Sequence, residues 1–106
     1  MIPELTTEQR KENLAKAMEM RQRRAKIRAK LGDGTYSAEK VVRRAFDGDK
    51  AYAGMRVKQL INAMPGYGFK RTQALMRELG ISESKRVGGL GSNQAKALIA
   101  KLDGEA

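Results

Sequence analysis

Residues 64–76 read Met-Pro-Gly-Tyr-Gly-Phe-Lys-Arg-Thr-Gln-Ala-Leu-Met, and residues 87–99 read Val-Gly-Gly-Leu-Gly-Ser-Asn-Gln-Ala-Lys-Ala-Leu-Ile. Superimposed, Gly66 meets Gly89, Gly68 meets Gly91, Ala74 meets Ala97 and Leu75 meets Leu98. Each copy is Gly-apolar-Gly followed by an apolar pattern of helical spacing. Two glycines around one apolar residue allow a tight turn that delivers bare backbone N–H groups to the start of a helix. Those unpaired donors, at the positive end of the helix dipole, suit an anion. The same glycines could also do no more than join two helices.

Outward from the repeat, the periodicity is helical throughout. Val57, Leu60, Ile61 and Met64 follow i, i+3, i+4, i+7, as do Thr72, Leu75, Met76 and Leu79, and again Ala95, Leu98, Ile99 and Leu102. Gly80 followed by Ile81 predicts a helix stop of the Schellman kind. Ser37 can cap a helix carrying Ala38, Val41, Val42 and Ala45 on one face, which Asp47-Gly48-Asp49 closes. Residues 50–55 read as a connection or short turn. Upstream, Thr6 to Gln9 offers a capping box with Leu5 packing back on it. From there to Leu31 nothing breaks a helix, and Gly32-Asp33-Gly34 ends it. Its apolar stripe is thin, chiefly Met20, Ile27 and Leu31. No segment alternates with period two over strand length, so the predicted fold is all-α. It divides into a long basic N-terminal helix (1–32, an arm) and a compact helical domain (33–106).

The charge is lopsided. Twenty-two Lys and Arg face 12 Asp and Glu, a formal net charge of +10 with a pI near 10.2. Residues 1–31 hold nine basic and four acidic groups, as do residues 54–106, while residues 32–53 hold four of each. Two basic regions therefore flank a neutral joint, and a polyanionic partner is expected, foremost the phosphates of nucleic acid. Residues 21–30 contain six basic residues and no acid, and Arg23, Lys26 and Lys30 align along one face as a second, weaker DNA surface.

With no cysteine and no histidine, a disulfide scaffold, a thiol nucleophile, a cysteine-rich zinc site and the commonest general base are excluded. The acids are scattered, so no metal is expected; Asp47 and Asp49 read as a loop. No Gly-x-x-x-x-Gly-Lys-Ser/Thr occurs and no strand precedes either turn, so no nucleotide cofactor is expected. The N-terminus lacks the basic and apolar regions of a signal peptide, and no run approaches a membrane span. The expected protein is soluble, cytoplasmic and without a membrane partner.

The chemistry concentrates at the turns. The first, Gly66, Tyr67, Gly68 and Phe69, leads to Lys70 and Arg71. The second, Gly89 and Gly91, leads to Ser92, Asn93, Gln94 and Lys96. Backbone N–H groups, hydroxyls and amides hold phosphates in register, while the cations release counterions. Neither reads base edges. The loop before the second turn, with Lys85 and Arg86, is the candidate for a minor groove, where cations sense width and permit bending.

Residues 60–68 (Leu-Ile-Asn-Ala-Met-Pro-Gly-Tyr-Gly), residues 76–94 with their Gly-Ile-Ser-Glu-Ser-Lys-Arg-Val-Gly-Gly-Leu-Gly-Ser-Asn-Gln, and the opening Leu5-Thr6-Thr7-Glu8-Gln9-Arg10 resemble the actinobacterial integration host factor. The resemblance covers nearly the whole chain. It implies a nucleoid-associated protein with a helix-two-turns-helix module (about 55–103), similar to that of ribosomal protein S13 and some DNA glycosylases. It implies further that duplex DNA is bound with little sequence preference, bent or compacted, and that phage integration is assisted beside an integrase. The family's basic lid on the minor groove falls on Lys85, Arg86 and position 88, where this chain has glycine. The implied protein is a monomer off DNA. Structured RNA is the alternative partner, through the ribosomal likeness, although an inserted lid suits a B-form minor groove better. The glycosylases use an N-terminal proline amine. Here Ile2 precedes Pro3, and 106 residues leave no room for a β-rich catalytic domain, so no enzyme is expected.

Overall fold

The computed structural model describes residues 7–104. The expected capping box at Thr6, with Leu5, lies outside them. Among the described residues six helices follow one another: α1 (Thr7–Gly32), α2 (Ala38–Phe46), α3 (Lys50–Ala53), α4 (Val57–Ala63), α5 (Phe69–Glu78) and α6 (Ser92–Gly104), with a 3₁₀ turn at Val87–Gly89 before the last. Among the described residues the β-type pairing is confined to an isolated bridge between Arg56 and Arg86. The all-α expectation holds.

The 26 residues of α1 make a rod of about 39 Å at 1.5 Å per residue, which accounts for the 49 Å long axis of the molecule against 30 and 27 Å for the others. Residues 8–19 are exposed on every side. Only the second half reaches the core, through Ile27 and Leu31, with Met20 half-buried. The thin stripe in the sequence is thus the whole of the helix's buried face. On its flanks Arg23 binds Asp49 (3.1 Å) and Arg24 Nε donates to the Ala51 carbonyl (3.2 Å). The segment read as a connection is a one-turn helix, α3. Asp49 caps it by accepting from Ala51 N (3.1 Å), and a fragment that short persists because tertiary contacts hold it.

The core is aliphatic, built on Val41 and Val42 of α2, Val57, Leu60 and Ile61 of α4, Leu75 and Met76 of α5, and Leu98 and Leu102 of α6, with Met55 and Val87 from the connections. The predicted periodic positions are the buried ones, apart from Met64, Leu79 and Ile99, which are half-buried. Helix α5 stops as expected: Gly80 adopts φ 67°, Ile81 N donates to Met76 O (2.8 Å) and Gly80 N to Arg77 O (3.2 Å), the paired bonds of a Schellman motif. Helix α2 begins at a fully capped end. Ser37 Oγ accepts from Lys40 N (3.1 Å), and Asp103, arriving from α6, accepts from Ala38 N (2.8 Å) and Glu39 N (2.9 Å).

Candidate nucleic-acid interface

The first glycine turn is a Pro-Gly turn. Tyr67 N donates to Met64 O (3.3 Å), with Pro65 and Gly66 between them and Gly66 at φ 84°, which fits a type II turn, where a side chain at the second central position is strained. Gly68 then caps α5 in an extended conformation (φ −85°, ψ −175°) without any side-chain cap. Its carbonyl receives Thr72 N at 3.0 Å, as Gly91's carbonyl receives Ala95 N at 2.9 Å. The second glycine of each copy therefore does the same work, opening a helix.

The first glycines differ. Gly89 has no positive φ and instead sits in a 3₁₀ turn, donating to Arg86 O (2.9 Å). The sequence repeat is a conformational repeat only at Gly68 and Gly91.

At both helix starts the donors are open. The amides of Phe69 and Lys70, and those of Ser92, Asn93 and Gln94, meet no acceptor among the described residues. Gly68, Lys70, Gly91, Ser92 and Asn93 are exposed. Phe69, at 69% exposure, is the most open of the large apolar residues among those described. Lys70 and Lys96 are exposed cations with no ion pair or hydrogen bond among the described residues.

Two residues expected to project do not. The third residue of each helix folds back over its own turn. Arg71 Nη1 donates to Gly66 O (3.1 Å) and its guanidinium lies 4.1 Å from the Tyr67 ring centre. Gln94 Oε1 accepts from Gly91 N (3.0 Å) while its Nε2 donates to Gly80 O (3.2 Å). Both hold the turns in shape, and neither could be told from an outward-facing donor in the sequence.

The second of those bonds also fixes the relative placement of the turns. It sets the start of α6 beside the end of α5. Further along α6, Lys101 pairs with Glu78 (3.5 Å) and shares a shallow cavity with Arg71 and Tyr67. Both contacts fall at the carbonyl end of α5, with Gly80 held near the start of α6 and Glu78 near its last turns.

The loop before the second turn is fastened to the start of α4. Val57 N donates to Lys85 O (3.0 Å) and Val87 N to Met55 O (2.8 Å), which flanks Arg86 and sets it opposite Arg56. Arg86 Nη1 donates to Gly54 O. Lys85, half-buried, has no polar side-chain partner among the described residues. Lys58 is exposed at the rim of a cavity that also contains Phe69 and Glu83. Arg56 and Lys58 are thus brought to the loop from some 30 positions away in sequence, and no local signal points to them.

On the arm, Lys26 and Lys30 are exposed without partners among the described residues. Arg23 is engaged with Asp49 through both carboxylate oxygens (3.1 and 3.2 Å), and its side chain stays 45% exposed.

Uncapped helix starts after glycine turns, held by a small all-α core, define a class. The family described as S13-like H2TH domain matches residues 31–102. The chain is 40% identical to the integration host factor of Streptomyces coelicolor over 97 residues, covering 92% of this chain and 90% of the relative. It is 37% identical to that of Mycolicibacterium smegmatis over 102 residues, covering 96% of each. A solved structure of sIHF bound to an 8-bp palindromic DNA is similar to the chain with a TM-score of 0.80 at 35% identity, over 83% of this chain and 98% of that one. The chain belongs to the actinobacterial integration host factor family and carries an S13-like H2TH domain. Among the described residues no helix is long and apolar enough to cross a membrane.

Proposed function

We propose that this protein binds duplex DNA with little sequence preference, through backbone phosphates and the minor groove. It bends or compacts the duplex in the nucleoid, and serves site-specific recombination beside a phage integrase. The open amides at the starts of α5 and α6, set in a chain of net charge +10, carry this reading. Its likeness to a protein solved on DNA supports it. So does the bridge that sets Arg56 opposite Arg86: like charges facing each other are unfavourable alone and become favourable once an anion lies between them.

Phosphates approach the amides of Phe69 and Lys70 at one end and those of Ser92 to Gln94 at the other, with Lys70 and Lys96 adding charge. The two helix starts grip phosphates along a short stretch of backbone, and Lys85 and Arg86 lie over the groove. Arg23, Lys26 and Lys30 on the arm meet a second segment, so that a monomer bridges or wraps DNA. The domain of residues 33–106 provides the primary grip and the arm of residues 1–32 the secondary one.

A salt titration tests the reading. With about six phosphates neutralised, affinity for a duplex falls by roughly three orders of magnitude between 50 and 200 mM salt. A slope corresponding to one charge rejects it. Stronger competition by structured RNA than by duplex DNA at matched salt would move the assignment to RNA.

A further inference from the structure

The one-turn helix α3 is held from two sides at its carbonyl end. From the arm, Arg24 Nε donates to Ala51 O (3.2 Å) and its Nη2 to Lys50 O (3.4 Å). From the loop before the second glycine turn, Arg86 Nη1 donates to Gly54 O. Gly54, the C-cap of α3, lies where both arginines converge. A Cβ there would come within 2.3 Å of Arg24 Nη2 and 3.2 Å of its Cζ, so only glycine admits the guanidinium.

The loop is packed on α3 as closely as the arm is. A Cβ at Gly88 would stand 2.7 Å from Ala53 Cβ and 3.1 Å from Ala53 Cα. The bonds from Val87 N to Met55 O and from Val57 N to Lys85 O continue the same contact. At the other end of α3, Asp49 receives Arg23.

A single helical turn leaves its last carbonyls without partners of its own, and it does not persist without outside contacts. Here Arg24 from the arm satisfies Ala51 O and adds a second donor to Lys50 O beside Gly54 N (2.9 Å), while Arg86 from the loop satisfies Gly54 O. Arg24 is half-buried, at the joint rather than on the surface, and so is poorly placed to touch a phosphate.

We infer that Arg24 is a positioning residue for the lid: by fixing the carbonyl end of α3 it sets where Gly54 anchors Arg86, and hence the angle at which Lys85 and Arg86 meet the groove. The consequence for DNA rests on the reading under Proposed function; the coupling of Arg24 to the lid does not. Docking of the arm and pose of the lid are then one mechanical unit, with α3 as the link.

The experiment compares the full-length protein with Arg24→Met, which keeps the aliphatic stem and loses the donors. Gly54→Ala, which displaces the guanidinium without removing its charge, is the second variant. Hydrogen exchange without DNA is read at the Val87 amide, with Leu98 as the core reference. Bending of a labelled duplex and the salt slope of binding are read separately. Loss of the Arg24 bonds accelerates Val87 exchange by about 10-fold, the scale of a lost charge-assisted hydrogen bond, while Leu98 is unaffected. Bending decreases, and the slope stays within one phosphate of the unaltered protein. Arg24→Lys, which lacks the planar fork, falls in between.

Unchanged Val87 exchange in both variants overturns the inference, and so does bending that stays the same while exchange rises. A slope reduced by one phosphate in Arg24→Met also overturns it, since Arg24 would then contact DNA itself. Should the unaltered protein bend no duplex, the functional reading fails, and Val87 exchange alone decides whether Arg24 holds the lid.

Discussion

Helix α2 starts with its first three amides bonded, two to the carboxylate of Asp103 and one to Ser37 Oγ. The amides of Phe69 and Lys70 in α5, and of Ser92, Asn93 and Gln94 in α6, meet no acceptor among the described residues, each set behind a glycine that offers no side chain. The same fold therefore completes one helix terminus with a carboxylate borrowed from 65 positions away and leaves two others bare. Unbonded amides at an exposed helix start are satisfied by water or by a ligand. Under the proposed function, the ends left bare at the glycine turns are the ones a phosphate fills.

The largest effect comes from erasing the difference. Gly68 already has cap geometry and open space for a Cβ, and at Gly91 a Cβ would make an ordinary contact of 3.5 Å with Gln94 Oε1. In Gly68→Asp with Gly91→Asp, each carboxylate takes the amides and repels phosphate. Duplex affinity falls roughly 100-fold, about 3 kcal/mol for two lost sets of charge-assisted bonds. Folding stability stays level or rises by about 0.5 kcal/mol. Parallel titration and thermal melting read the two quantities, and a loss of both together would show that the glycines matter only for folding.

Breaking the capped terminus has the reverse signature. Asp103→Ala strands the amides of Ala38 and Glu39 and lowers stability by about 2 kcal/mol in denaturant unfolding, with affinity unchanged at temperatures where the protein stays folded. Ser37→Ala frees one amide and costs about 1 kcal/mol, again with no effect on DNA. Weaker DNA binding from either would place α2 within the interface and end the contrast.

Much of this architecture was legible in the residues. Buried Val57, Leu60 and Ile61, the Ser37 cap and the Gly80 stop were each readable because a helix face, a cap and a stop are set by neighbours within about four positions. The candidate interface was legible less evenly. Gly68 and Gly91 open helices as expected, and the cations Lys70 and Lys96 are exposed. Arg71 and Gln94 turn inward onto the glycine turns, and Arg23 is paired with Asp49. A side chain's chemistry is the same whether it faces a phosphate or its own backbone, so composition could not sort them. Helix α3 was missed because four residues carry no periodicity.

The amino-acid order alone determined an all-helical chain with a basic arm, two glycine-led helix starts and an aliphatic core. Period, cap and charge are local properties, written within a few residues of where they act. Tertiary structure alone decided that Asp103 completes α2, that Arg56 faces Arg86, that Gln94 reaches Gly80, and that α3 joins arm to loop. Each depends on groups far apart in sequence meeting at hydrogen-bonding distance, and that distance is set by how the helices pack.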